Sequence, residues 1–309
     1  MTAPGDGALL GIDVGGTKVA LRVEDGDTVL EESFTWPIDG DPHADLDLLF
    51  GAVAALRART SGPLGGIGVA LPATVAAGVV TAWPSRPGWI GVDLGAGLHE
   101  LADGAAVLVA DDGDLAALAE ARAWSCGDLI YAGVGTGIGG GIVLDGRPCP
   151  GPGRGSCELG HVVVDLDGPL CVCGRRGCVQ ALASGPAIIV AAGQARGNPV
   201  TGTELLAALG TGEPWAVSTV DAASAVLAVA LVGVGELVHP ALLVVGGGFA
   251  AAIPGFVDGV ARHCVALARP GHTPAPVRPA LLGGLSSLHG AVHAAAIARD
   301  DALVAPTPL

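Results

Sequence analysis

The apolar positions of this chain fall into short runs that stop at glycine turns, alternating with longer stretches of helical spacing. Ala8–Val14 is apolar except for Asp13 near its end, and stops at Gly15-Gly16-Thr17-Lys18. Such a run, bounded by glycine, reads as a buried strand. Val19–Val23 and Thr28–Phe34 flank Glu24-Asp25-Gly26-Asp27, whose Asp-Gly pair predicts a hairpin directly after the first strand. Asp45–Arg59 places Leu46, Leu49, Val53 and Leu56 on one helical face, and Leu64–Leu71 returns as a strand. Val107–Ala110 predicts a short strand, followed by an Ala-rich helix to about Trp124 that Asp112 or Asp114 would cap. Leu129–Val134 and Gly139–Leu144 flank a second glycine turn, and Ala241–Val245 runs into Gly246-Gly247-Gly248 before a further helix. Strands alternating with helices predict an α/β protein, and two strand-turn-strand glycine loops in separate halves predict a duplicated architecture.

Length and charge narrow the class. At 309 residues the chain exceeds what one core usually supports, so two lobes are expected. No basic segment precedes an apolar stretch at the N-terminus, and no uninterrupted apolar run reaches the ~18 residues needed to span a bilayer. The expectation is a cytoplasmic protein without a membrane partner. A formal charge of −15, from 15 Lys+Arg against 30 Asp+Glu, argues against nucleic-acid binding and leaves polyanion sites to local backbone donors. One Tyr and four Phe are too few for base-stacking or carbohydrate-stacking platforms.

Four metal-competent side chains lie within a short segment: His161, then Cys171-Val-Cys173-Gly-Arg-Arg-Gly-Cys178. Three sulfurs and one imidazole form the set that closes a tetrahedral structural Zn2+ site. The rival is a dithiol cross-link, but a single residue between Cys171 and Cys173 strains disulfide geometry. Cys126, Cys149, Cys157 and Cys264 lack ligand spacing and are expected as small core residues.

The glycine turns are candidate phosphate cradles, because closely spaced glycines let backbone N–H groups converge on an anion. Gly135-Thr136-Gly137-Ile-Gly-Gly140 matches the dinucleotide pattern G-x-G-x-x-G, yet a strand follows where that fold needs a helix. No G-x-x-x-x-G-K-[ST] occurs. Each turn alone reads equally as a tight hairpin; Asp13 at the end of the first strand, beside backbone donors and the Thr17 hydroxyl, adds a group suited to Mg2+ through water and phosphate.

Together these motifs resemble the ROK family of sugar kinases and repressors, within the actin/hexokinase-like ATPase superfamily, across nearly the whole chain. Asp13-Val-Gly15-Gly16-Thr17-Lys18 resembles the first phosphate loop, Gly135-Thr136-Gly137 the second, and Gly246-Gly247-Gly248 the adenosine-side loop. Glu158-x-Gly160-His161 with Cys-x-Cys-Gly-x-x-Gly-Cys resembles the family's own signature. The resemblance implies two α/β lobes of ribonuclease H-like fold, here 1–111 and 112–309, closing over ATP, Mg2+ and sugar. It also implies a structural zinc, a homodimer and a terminal helix packed back on the first lobe.

The family's catalytic segment usually reads Asn-Asp-Ala-Asn; here Asp111-Asp112-Gly113-Asp114 takes its place. By that match Asp112 is the base that accepts a proton from a primary sugar hydroxyl as the oxygen attacks the γ-phosphoryl group. The plain alternative for Asp112 is a helix cap. Glu158 resembles a sugar-hydroxyl acceptor, and His161 can hold zinc through one nitrogen while orienting substrate through the other.

Departures from the glucokinase pattern concentrate at sugar-facing positions. Asp111 replaces the usual Asn, which faces the ring's middle hydroxyls; Gln180 replaces a Glu at the anomeric end; Ser85 replaces the Asn of Pro-Asn-x-Pro-Gly-Trp. Exchanging an amide for a carboxylate loses N–H donors and gains a charge, which suits a substrate ammonium such as that of 3-amino-3-deoxyglucose. Gln180 alternatively suits a cyclitol, and an ordinary glucokinase that tolerates both changes is the plain alternative. A silent sugar sensor or regulator is the other class; only twelve residues precede Asp13, too few for a DNA-reading module.

Overall fold

The computed structural model describes residues 7–37, 40–60, 62–83, 85–150 and 155–304, with side chains to 301; Pro84 of the quoted proline motif lies outside the described residues. Two compact units divide the chain, Met1–Ala119 with Pro152–Gly155 and Leu285–Leu309, and Glu120–Gly151 with Ser156–Gly284. The division falls inside the helix that begins at Asp112, whereas the expected lobe boundary of 111/112 stands at that helix's first residue.

The first unit is built on a five-stranded sheet of order β3-β2-β1-β4-β7, from β1 (Ala8–Val14), β2 (Lys18–Asp25), β3 (Thr28–Thr35), β4 (Leu64–Ala70) and β7 (Ala106–Ala110). β1, β2 and β3 run antiparallel, while β4 and β7 add in parallel. A small hairpin, β5 (Thr74–Ala76) and β6 (Val79–Ala82), lies apart from this sheet. α1 (Pro42–Arg57) and α2 (Leu94–Ala102) bring Leu46, Leu49, Val53, Leu56 and Leu98 into a core with Leu10, Ile12 and Leu21. α1 starts three residues before the sequence reading, because Asp41 caps it through the His43 N–H and Pro42 fixes the first helical φ. The C-terminal α10 (Ser286–Val304) packs on β1 and β4 of this same unit. Gly68 explains how closely: a Cβ there would lie 1.8 Å from the Ala291 carbonyl oxygen, so only glycine lets the helix backbone meet the strand.

The second unit repeats the scheme with order β10-β9-β8-β11-β12, from β8 (Leu129–Val134), β9 (Ile138–Leu144), β10 (Arg147–Cys149), β11 (Leu242–Gly246) and β12 (Val277–Pro279). Again an antiparallel hairpin is extended by parallel strands. α3 (Asp112–Ala123) enters this unit at Glu120, whose buried carboxylate accepts the Leu281 and Leu282 N–H groups. α4 (Val179–Ala183), α5 (Gly185–Arg196), α6 (Gly202–Thr211), α7 (Pro214–Val238), α8 (Gly248–Ala252) and α9 (Phe256–Ala266) complete it. α7 is long and apolar enough to cross a membrane by length and composition. It carries Asp221 and Glu236, and its Ala216, Val220, Ala223, Leu227 and Leu231 belong to this unit's core. Of the four cysteines expected in the core, only Cys264 is buried; Cys126, Cys149 and Cys157 are half-buried.

Candidate active site

In the first unit, β1 delivers Asp13 to the mouth of the turn Gly15–Lys18, where the backbone closes on itself through Gly15 N–H to Lys18 C=O at 2.8 Å. Three successive carbonyls of this turn are drawn into the protein. Gly15 accepts the Trp36 indole N–H (3.2 Å), Gly16 accepts Arg86 Nε (2.7 Å), and Thr17 accepts the Trp36 backbone N–H (3.2 Å). A trans peptide directs its N–H opposite its C=O, so the amides of Gly16, Thr17 and Lys18 face away from that clamp. That is the geometry a phosphate oxygen needs. Ser85 stands beside this turn, its hydroxyl 2.9 Å from where a Gly16 Cβ would be.

Arg86 was not among the residues marked by motif. Its guanidinium also donates to Asp45 Oδ2 and to the Pro37 carbonyl, both at 2.7 Å, and lies 4.4 Å from the Trp36 ring centroid. Trp89 Nε1 reaches the same Asp45 oxygen at 3.2 Å. The Arg86 and Asp45 side chains are only 2% and 1% exposed, so the pair is a dry, fully bonded clamp on the first turn. The available signal was a charge enclosed by Ser85-Arg86-Pro87-Gly88-Trp89.

Asp13 Oδ2 accepts the Ser287 hydroxyl at 2.7 Å, from the first turn of α10. Burial raises the Asp13 carboxyl, opposed by that hydrogen bond and by the Lys18 charge. Asp112 starts α3, and burial, with the Asp13 charge second, raises it from 3.8 to about 6. A carboxylate held near neutrality is a better proton acceptor than one at its ordinary value. The helix cap is neither Asp112 nor Asp114. It is Asp111, whose Oδ1 accepts the Gly113 N–H at 3.0 Å while its carbonyl accepts the Leu115 N–H. The Asp112 carboxylate meets its own and the Gly113 backbone N–H groups, which partly offset the rise.

In the second unit, the turn Gly135–Gly137 joins β8 to β9, closed by Gly135 N–H to Gly137 C=O at 2.9 Å. The Gly135 carbonyl accepts the Gly185 N–H (2.9 Å), and Ile138 N–H donates to Gln180 Oε1 (3.1 Å). Thr136 is exposed at the tip. Gly246 ends β11 and pairs with Gly133 of β8, Gly247 takes φ +89°, and Gly248 opens α8, so the third glycine loop abuts the second.

Glu158 and His161 lie at the ends of one short helical turn, with Glu158 Oε2 3.9 Å from His161 Nε2 and Glu158 Oε1 accepting the Ser156 hydroxyl at 2.8 Å. The other imidazole nitrogen, Nδ1, is 3.6 Å from Cys171 Sγ, and Cys173 Sγ is 3.6 Å from Cys178 Sγ. All four candidate ligand atoms fall within 4.8 Å of one another. Zinc bonded to sulfur at about 2.3 Å and nitrogen at about 2.1 Å requires tetrahedral edges of roughly 3.5–3.8 Å, which the two 3.6 Å separations match. The Arg175 backbone N–H lowers the Cys173 thiol to about 6, whereas burial raises Cys178 to about 11. Adjacent thiolates repel, and a cation among them removes that opposition.

Comparisons with known proteins agree with this geometry. The ROK family pattern matches residues 9–300. The chain is 57% identical over 290 residues to the kanosamine kinase of Amycolatopsis mediterranei (strain S699), covering 93% of this chain and 96% of that one. It superposes on a ROK hexokinase from Thermus thermophilus with a TM-score of 0.81 at 32% identity, covering 95% and 99% of the two chains. A ROK family glucokinase from Streptomyces griseus, solved in complex with glucose and AMPPNP, gives a TM-score of 0.77 at 26% identity, with coverage of 95% and 100%. These matches span both glycine turns, the Asp111-Asp112 segment and the cysteine cluster, and this chain belongs to the ROK family.

Proposed function

We propose that this protein is an ATP-dependent kinase that phosphorylates the primary hydroxyl of an amino sugar, 3-amino-3-deoxyglucose (kanosamine), with Asp112 as the base. The 57% identity to a kanosamine kinase, sustained over 93% of the chain, carries this reading. The donor set supports it independently. The Gly16, Thr17 and Lys18 amides suit phosphoryl oxygens, and Asp13, held by Ser287, suits a hydrated Mg2+. When bound, Mg2+ neutralises charge on the phosphoryl oxygens. Asp112 takes the proton of the attacking hydroxyl, Glu158 accepts a sugar hydroxyl, and His161 orients the sugar through Nε2 while Nδ1 faces the sulfurs. Phosphoryl transfer asks little covalent chemistry of a protein, so these residues act by positioning and electrostatics.

Asp111 supplies the preference for an ammonium. Capping α3 engages Oδ1 in a hydrogen bond but leaves the carboxylate's negative charge, so a protonated amine on the ring meets a countercharge that glucose cannot use. His161, Cys171, Cys173 and Cys178 hold a structural zinc in this reading, and elemental analysis of purified protein is expected to give one zinc per chain. Four thiols outside this cluster, none of them in a disulfide, and the use of ATP suit the cytoplasm.

Incubation with Mg-ATP and a panel of glucose, mannose, N-acetylated hexosamines, 3-amino-3-deoxyglucose and cyclitols, read by mass spectrometry, tests the proposal. A phosphorylated amino sugar as the dominant product supports it. Dominant phosphorylation of glucose or a cyclitol, or sugar binding without turnover, overturns it.

A further inference from the structure

Ile138, the first residue of β9, is gripped from two sides by segments assigned to the sugar. Its N–H donates to Gln180 Oε1 at 3.1 Å. Its carbonyl lies beneath Gly160, where a Cβ would approach to 2.0 Å, so the turn bearing Glu158 and His161 rests directly on the phosphate hairpin. Gly137, one residue earlier, is equally tied: a Cβ there would meet Gln180 Oε1 at 2.8 Å. A backbone N–H requires an acceptor, which fixes the amide orientation of Gln180 with oxygen towards Ile138 and makes Nε2 a donor only. Gln180 itself is anchored in α4, where the Ser184 N–H donates to its carbonyl at 3.2 Å, and Gly185 then holds the Gly135 carbonyl. One short segment, 180–185, thus supports both ends of the second glycine turn.

We infer that Gln180 is a positioning residue that locks the second phosphate turn and couples nucleotide binding to sugar binding within the same unit. The inference rests on the kinase reading above and goes beyond it: a residue matched to the sugar's anomeric end sets the geometry of the turn assigned to ATP. A purely sugar-facing Gln180 would affect sugar affinity alone. The lock makes it affect the nucleotide even when no sugar is present.

Calorimetric titration of the full chain with Mg-AMPPNP, in the absence and presence of saturating 3-amino-3-deoxyglucose, separates the two. Gln180→Leu, which removes the acceptor, is expected to weaken sugar-free Mg-AMPPNP binding by about fivefold or more, the scale of one lost hydrogen bond, and to reduce the tightening that sugar produces. Gln180→Glu keeps an acceptor for Ile138 and is expected to restore nucleotide affinity to within about twofold while changing the KM for sugar. Gln180→Met gives the same comparison if the leucine variant does not fold. Wild-type nucleotide affinity in the leucine or methionine variant overturns the inference, as does failure of Gln180→Glu to restore it. Wild-type protein that binds Mg-AMPPNP but phosphorylates no sugar would refute the functional reading alone, since the sugar-free titration still reports the lock.

Discussion

The two strand-turn-strand motifs share a scaffold and differ in chemistry. Asp13-Val14-Gly15 ends β1, and Gly133-Val134-Gly135 ends β8; in both, the residue before the valine pairs with an antiparallel strand on one side and a parallel strand on the other. The first motif places a carboxylate at that position, and the second places a glycine with no side chain to contribute. Their supports differ likewise. A buried arginine and a tryptophan hold the first turn by three of its carbonyls, whereas a neutral glutamine amide and a backbone N–H hold the second. The two units thus share one backbone frame, and the strand-end carboxylate stands in only the first. At that position a carboxylate suits a hydrated cation, and a glycine leaves only backbone N–H groups to meet an anion.

The largest expected effect lies at the charged motif. Asp112→Asn is expected to lower kcat by 10²–10⁴-fold, roughly the contribution of a general base, with much smaller changes in sugar and nucleotide affinity. With its carboxyl raised to about 6, wild-type kcat/KM should fall about tenfold per pH unit below that value as the base becomes protonated. The same carboxyl is raised above its unfolded value of 3.8, so its stabilising contribution is complete below 3.8 and lost as pH rises through about 6. Asp112→Asn should accordingly gain stability at pH 7, by at most ~3 kcal/mol, in denaturant unfolding. Near-wild-type turnover in this variant would remove the base assignment.

Breaking the supports should separate the motifs next. Arg86→Ala leaves Asp45 buried without its partner and is expected to cost about 3–5 kcal/mol of stability, with part of it recovered by adding Asp45→Asn. Breaking the single neutral bond from Gln180 should cost only about 1 kcal/mol and act mainly on nucleotide affinity. Equal losses of stability from Arg86→Ala and Gln180→Leu would contradict the contrast between charged and neutral support.

Legibility in the sequence follows from whether an interaction is local. Ala8–Val14 and Leu129–Val134 are observed as read, because an apolar run stopped by glycine has few other solutions in an α/β chain. The cysteine cluster was visible because its candidate ligands lie within 18 residues, so spacing alone approximates geometry. The start of α1 was misplaced because periodicity finds the apolar face, whereas Asp41 and Pro42 set the end. Asp45 is the buried partner of Arg86, 41 residues away, a pairing that helical spacing does not reveal. Ser287 reaches Asp13 across 274 residues, a pairing that no local pattern encodes. The cap was assigned to Asp112 or Asp114 because three aspartates within four positions are equivalent to a spacing rule, and only the backbone shows that Asp111 bonds Gly113.

One further effect bears most directly on what the protein acts upon. A carboxylate meeting an ammonium is worth about 1.5–3 kcal/mol, or tens-fold in kcat/KM. Asn caps a helix about as well as Asp, so Asp111→Asn removes the charge while retaining an oxygen for Gly113. The decisive measurement is the ratio of kcat/KM for 3-amino-3-deoxyglucose to that for glucose, in wild type and in Asp111→Asn, below the pKa of the amine. A tens-fold wild-type preference for the amino sugar that collapses in the variant is the expected result. No preference in wild type, or an equal loss on both sugars in the variant, would contradict the account and leave Asp111 as the cap of the helix that carries the base.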